Sequence, residues 1–175
     1  MVAPPVYLFN PNEYVIGIFA SWDVGRVDYH KEQVTHIVRE TSGINPQRFQ
    51  TSTTTENHYV HNAVDAGVEA DYFFTRYLGL GLEGDWICGN DVINAVSASF
   101  IARYPIEYGR WGWAPYAMIG GGGQFDGVNA GTGHIGGGAE IRFRQHWGVF
   151  ADGRWVIHDS TINYGLFRLG VRYNF

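Results

Sequence analysis

Read backwards from the end of the chain, alternate residues fall into two sets. Phe175, Tyr173, Val171, Leu169, Phe167 and Gly165 form one; Asn174, Arg172, Gly170, Arg168, Leu166 and Tyr164 form the other. A period of two marks a β-strand, whose successive side chains point to opposite faces. The pattern recurs upstream. Over 14–24, Ile16, Ile18, Ala20 and Trp22 oppose Gly17, Phe19, Ser21 and Asp23. Over 60–73, Val64, Ala66, Val68, Ala70 and Tyr72 oppose Asp65, Gly67, Glu69 and Asp71. Next, Leu78, Leu80, Leu82 and Trp86 oppose Gly79, Gly81, Glu83 and Asp85, and Val96, Ala98, Phe100 and Ala102 oppose Ser97, Ser99 and Arg103. A glycine-rich strand is expected over 113–125. Over 133–145, Ile135, Ala139, Ile141 and Phe143 oppose His134, Glu140, Arg142 and Arg144; over 148–158, Val149, Ala151, Trp155 and Ile157 oppose Asp152, Arg154 and His158.

With the terminal strand, the pattern predicts eight strands in hairpin order: an all-β, eight-stranded, antiparallel up-and-down barrel, which closes without leaving an edge. Residues 14–175 form this single domain. Residues 1–13, with three prolines in 2–12, read as an extended lead-in on the side of the short turns. Over 25–58 the alternation lapses. Charged residues, a Gly-Ile-Asn-Pro turn and the run TSTTT predict a long polar first loop with a short helical turn near 31–38. The other connections are brief.

Alternation does not say which face is outside. A soluble barrel such as a lipocalin hides its apolar face. Three features favour the reverse, with the apolar face toward lipid. First, Tyr14, Trp22, Tyr72, Trp86, Tyr104, Trp113, Trp155, Tyr173 and Phe175 sit near strand ends, where interfacial aromatic girdles belong. Second, brief turns on one side contrast with one very long loop on the other. Third, the polar-face charges are sorted by sign. Asp65, Glu69, Asp71, Glu83 and Asp85 lie on the second and third strands, Arg103 on the fourth, and Arg142, Arg144, Arg154, Arg168 and Arg172, with Glu140 and Asp152, on the last three. Facing walls of opposite charge across a narrow lumen would form a salt-bridged plug. A turn at 145–147 would set Glu140 beside Arg154 and Arg142 beside Asp152.

Composition narrows the function classes. No run approaches the ~18 apolar residues of a membrane helix, whereas a barrel strand needs only about 10 alternating ones. A net charge of -5 with a single lysine, Lys31, excludes a nucleic-acid footprint. Cys88 is alone, so no intramolecular disulfide forms. The seven histidines carry no tight ligand spacing, and no metal site is expected. The glycine clusters at 120–123 and 136–138 precede no helix and lack a GK[ST] ending, so no nucleotide cofactor is expected. Placed side by side on adjacent strands, they allow tight barrel curvature, or else a flat outer patch (Gly121, Gly123, Gly137) for a lipid chain or a protein.

The stretch GVFADGRWVIHDSTINYGLFRLGVRYNF, ending in Phe175, resembles the last hairpin of small OmpA-like outer-membrane β-barrels. That resemblance implies a transmembrane barrel in a bacterial outer membrane, handled by the barrel-assembly machinery through its C-terminal strand and surrounded by lipopolysaccharide and phospholipid. It also implies export, so the chain is expected to be a mature form whose Met1 replaces a signal peptide. The peptidoglycan-binding module of OmpA itself has no counterpart, and cell-wall anchoring is not expected. His158-Asp159-Ser160 is similar to the His-x-Ser of outer-membrane lipid A deacylases, in which a carboxylate on the last strand orients the histidine. Here that strand carries Arg168 and Arg172 and no Asp or Glu, and His158 shares the parity of the inward face. The reading is therefore a non-enzymatic structural or surface-interaction module, with a largely closed lumen and loop 25–58 as its contact surface. A small ion-conducting pore and a deacylase-like enzyme using His158 and Ser160 are the alternatives.

Overall fold

A computed structural model describes residues 7–39, 48–87, 93–126, 128–158 and 163–175, with side chains described at 7–25, 64–86, 95–125, 131–157 and 163–175. Its strands are β1 (Glu13–Arg39), β2 (Arg48–Phe73), β3 (Leu78–Ile87), β4 (Ile93–Arg103), the short β5 (Ile106–Tyr108), β6 (Trp111–Asp126), β7 (Val128–Phe143), β8 (Trp147–His158) and β9 (Tyr164–Asn174). Neighbours run β4-β3-β2-β1-β9-β8-β7-β6-β5, and an added β4–β6 pairing closes the sheet. Eight long strands thus form a closed antiparallel barrel, and β5 is a flap in the β4–β6 connection.

The apolar face is outside. Leu169, Ile18, Leu82, Val64 and Ile119 are exposed, while Arg142, Glu140, Asp152, Arg168 and Arg172 are buried. All six tryptophans are at least 36% exposed. The hydrophobic effect in water would drive the opposite arrangement. A barrel wall one residue thick in a hydrocarbon solvent favours this one.

The chain divides into two compact units: Met1–Arg26 with Asn62–Phe175, and Val27–His61. The first is the barrel. The second holds the remaining lengths of β1 and β2. Most of the expected loop at 25–58 is therefore strand, and the helical turn expected near 31–38 is extended chain. The β-branched residues of VDYHKEQVTHIVR and the TSTTT run favour extended backbone, and apolar alternation is needed only where one face meets lipid or a core.

Two further expectations are corrected by register. The β7–β8 turn closes at Phe143↔Trp147, so its loop is 144–146, with Arg144 at φ 65°. Glu140 then pairs with Phe150 and Arg142 with Gly148, and neither Glu140–Arg154 nor Arg142–Asp152 is a cross-strand pair. The β6–β7 hairpin is also tighter than expected. Gly121 faces Gly133 and Gly123 faces Gly131, while Gly137 faces Ala117, so the two glycine clusters lie offset.

Residues 7–12 do not trail away as a lead-in. Leu8 and Phe9 are buried against Ala114, and the chain then turns through Asn12, at φ 57°, into β1. Asparagine tolerates this left-handed backbone better than other non-glycine residues.

Inward glycines make room for charge. A methyl group at Gly17 would stand 2.6 Å from Glu69 Oε1, and one at Gly138 would overlap the Ala151 carbonyl oxygen. Gly17→Val is expected to lower stability by about 1–3 kcal/mol or block folding. Gly123→Ala, which meets only the Phe125 ring, is expected to fold normally. Urea midpoints of lipid-refolded protein, read by heat-modifiable gel migration, separate the two. Equal midpoints would mean that the Gly17 gap has no role.

Candidate functional site: an alternating charge ladder in the lumen

Because inward positions recur every second residue on every strand, side chains from distant parts of the sequence converge on one narrow axis. Starting at the turn end, Glu13 on β1 binds Arg103 of β4 at 3.0 Å and Arg142 of β7 at 2.7 Å. Arg142 also binds Glu140 on its own strand, two residues away. Glu140 reaches Arg172 of β9 at 3.2 Å, and Arg172 binds Glu69 of β2. Glu69 contacts Arg168 at 3.4 Å, Arg168 binds Glu83 of β3 at 2.8 Å, and Glu83 binds Arg154 of β8. The order along the axis is Arg103–Glu13–Arg142–Glu140–Arg172–Glu69–Arg168–Glu83–Arg154, with signs strictly alternating. Asp152 braces it from the side, taking Arg168 at 2.6 Å and the Tyr116 hydroxyl at 2.7 Å. Asp71 lies 3.6 Å from Arg172.

Aromatic rings fill the space between the guanidinium planes. Arg103 lies 3.5 Å from the Phe73 ring centre, Arg142 4.0 Å from Phe9, Arg168 4.5 Å from Phe19 and Arg172 4.0 Å from Phe150. Arginine suits such a site because its planar fork binds carboxylates along its edge while its face stacks on a ring. Small cavities lie among these groups, one of about 10 and another of about 40 Å³. Neither admits more than about a water molecule or two. The larger lies toward the loop end, beside Ser97, Gln124 and His134.

The residues singled out from sequence are distributed as follows. Glu69, Glu83, Arg103, Glu140, Arg142, Arg154, Arg168 and Arg172 lie on the ladder itself, with Asp71 and Asp152 beside it. Asp65 is buried and inward, and Asp85 lines the 40 Å³ cavity. Arg144 is not in the lumen: it occupies the exposed β7–β8 turn, where strand parity ends. The two charged walls are not simply opposite. β3 faces β8 and β2 faces β7 across the axis, but β2 and β9 flank β1, so Glu69 meets Arg172 over the gap at Gly17. Glu13, Ser97, Ser99, His134 and Tyr116 were absent from that set. Ser97 donates to Glu83 at 2.6 Å, and Ser99 Oγ lies 2.8 Å from His134 Nε2. Glu13 shares the parity of Val15 and Gly17, a signal that a strand start placed at residue 14 cut off. The His158 side chain, Asp159 and Ser160 lie outside the described residues.

Outward aromatics gather in pairs at the turn end: Tyr14–Tyr72 (4.8 Å), Tyr77–Tyr104 (6.4 Å), Tyr108–Trp111 (5.0 Å) and Trp147–Tyr173 (5.1 Å), with Phe175 4.9 Å from Tyr173. Trp113 projects outward on β6. Trp22 and Trp155 lie eight residues along their strands from Tyr14 and Trp147, about 26 Å at the usual strand rise. Trp86, on β3, is also exposed.

No protein-family model matches the sequence, and no curated protein matches it. Solved structures do match. The N-terminal β-barrel domain of Pseudomonas aeruginosa OprF aligns over 95% of this chain and 99% of its own, with a TM-score of 0.60 at 15% identity. The chain has the fold of the small eight-stranded outer-membrane β-barrels. A de novo designed transmembrane β-barrel aligns over 94% of this chain and 97% of its own (TM-score 0.59, 15% identity). Neisserial surface protein A aligns over 93% and 97% (TM-score 0.54, 10% identity). At these identities the likeness is one of fold.

Removing one member of a buried ion-pair chain strands its partners, at a cost of about 3–5 kcal/mol. Arg168→Met, which removes the guanidinium shared by Glu69, Glu83 and Asp152, is expected to lose that much in a urea titration of lipid-refolded barrel. Arg144→Ala is expected to stay within about 0.5 kcal/mol of the parent. Similar losses for both would show that the ladder contributes nothing special.

Proposed function

We propose that the chain is a non-enzymatic barrel of a bacterial outer membrane, a structural and surface-interaction module. The observation that carries this reading is the ladder: from the turn end as far as Arg154, ion pairs and aromatic rings fill the described lumen, which leaves little room for a solute. The barrel's partners are then on its outside. Its exposed Ile, Leu and Val residues face acyl chains, and the two tiers of Trp and Tyr lie at the headgroups of phospholipid and lipopolysaccharide. β9, with Phe175 just after it, is the element offered to the assembly machinery. Residues 27–61 are the contact surface for a protein or ligand, since the other connections on that side are short. A docking role for the outer glycine patch is less favoured: Gly123 lies under the Phe125 ring, and Gly121 and Gly137 sit close to neighbouring carbonyls, which wall curvature explains.

Ion conduction by rearranged pairs is the second reading, favoured only by the 40 Å³ cavity that opens toward the loop end. The deacylase-like reading still lacks a carboxylate on the last strand to orient His158.

Refolded into a planar bilayer, the barrel is expected to give a silent baseline. Regular conductance steps that change on Glu83→Gln would establish the channel instead. Replacing residues 27–61 by a two-residue turn is expected to leave heat-modifiable migration intact. Loss of folding would mean that the segment serves the barrel and no partner.

A further inference from the structure

We infer that residues 7–12 are a strap that docks into the finished barrel and opens independently of it, and that the turn-end mouth is a peptide-binding site whose resident ligand is this segment. The mouth recognises main chain. Glu107, on the short strand β5, accepts the N–H groups of both Leu8 and Phe9 at 3.2 Å and is itself held by Arg76 at 2.9 Å. Arg142 Nη1 donates to the Leu8 carbonyl at 2.7 Å, and Arg103 Nη2 to that of Asn10 at 3.4 Å. Two apolar side chains complete the fit. Leu8 and Phe9 fill a recess floored by Ala114, kept open at Gly112, where a methyl group would stand 3.2 Å from each of them. Consecutive N–H donors, a carbonyl acceptor and a Leu-Phe pair define the ligand class: an extended apolar peptide.

Three features make this a strap rather than a ninth stave. Its partners come from the β2–β3 turn, β4, β5, β6 and β7, which converge only after those strands have paired. It has no strand ladder of its own, because β1 begins at Glu13, after the Pro11-Asn12 turn. Finally, withdrawing it costs the ladder the Phe9 ring and hydrogen bonds to the strap backbone but no ion pair: Arg142 keeps Glu13 and Glu140, and Arg103 keeps Glu13 and the Arg76 carbonyl at 2.9 Å. Segments that open without breaking buried ion pairs or strand pairing do so more often than the fold as a whole.

The test is a thiol probe beneath the strap, Ala114→Cys in a Cys88→Ser chain refolded in detergent, reacted with a charged methanethiosulfonate reagent. With the strap intact, labelling is expected to be slow but faster than global unfolding allows. Phe9→Ala is expected to raise the rate about tenfold or more at unchanged heat-modifiable migration. Excess synthetic peptide spanning residues 5–11 is expected to slow it again. A rate that changes less than about twofold, or one insensitive to the peptide, would overturn the proposal. If Phe9→Ala does not fold, Glu107→Gln, which lies on the β5 flap, is read the same way. Failure of both to fold would also overturn it, by making the segment part of the barrel.

Discussion

Five guanidiniums and four glutamates, taken alternately along one axis, are the interaction on which the rest of this structure depends. A barrel in hydrocarbon cannot send its ionised side chains outward, and a lumen this narrow holds too little water to solvate them. Each charge must therefore be neutralised by another, with its remaining hydrogen-bonding capacity filled. Alternation of sign lets every interior member serve two neighbours. Arginine makes this possible, because its fork can hold two carboxylates while its face rests on a ring. Lysine, a point charge on a mobile stem, occurs once in the chain, at Lys31, outside the residues whose side chains are described.

The wall is shaped to this interior. Glu69 and Arg172 meet over β1 only because Gly17 has no side chain there. Phe19 and Phe150 are in edge contact at 6.5 Å, forming a layer between rungs near Arg168 and Arg172. At the turn end the ladder's first members do a second job, since Arg103 and Arg142 also hold the backbone of residues 7–12. Closure of the mouth and neutralisation of the charges thus share the same groups.

Much of this was legible in sequence because a strand's period of two survives in any environment. Every inward charge named on the second, third and sixth to eighth predicted strands keeps its parity except Arg144, which fell past the strand's end. What failed was pairing. Partner choice depends on register, and register depends on where the turn falls: with the β7–β8 loop at 144–146, Glu140 faces Phe150 and bonds to Arg142 and Arg172 instead of Arg154. Most of the ladder's bonds also join strands that are not neighbours, which no local pattern encodes. The extended strands in 27–61 were hidden for a different reason. Two strands can pair through backbone alone, so polar sequence with β-branched residues makes them without any apolar alternation. Leu8 and Phe9, followed by Pro11, carried no periodicity to mark them as core.

The central claim is the inversion of apolar and charged faces, and tryptophan reports on it directly. All six, Trp22, Trp86, Trp111, Trp113, Trp147 and Trp155, point away from the axis. Refolded into vesicles whose phospholipid acyl chains carry bromine, the barrel should lose most of its indole fluorescence relative to vesicles of unbrominated lipid. Emission that is equally bright in both would place the indoles inside, away from acyl chains, and contradict the account.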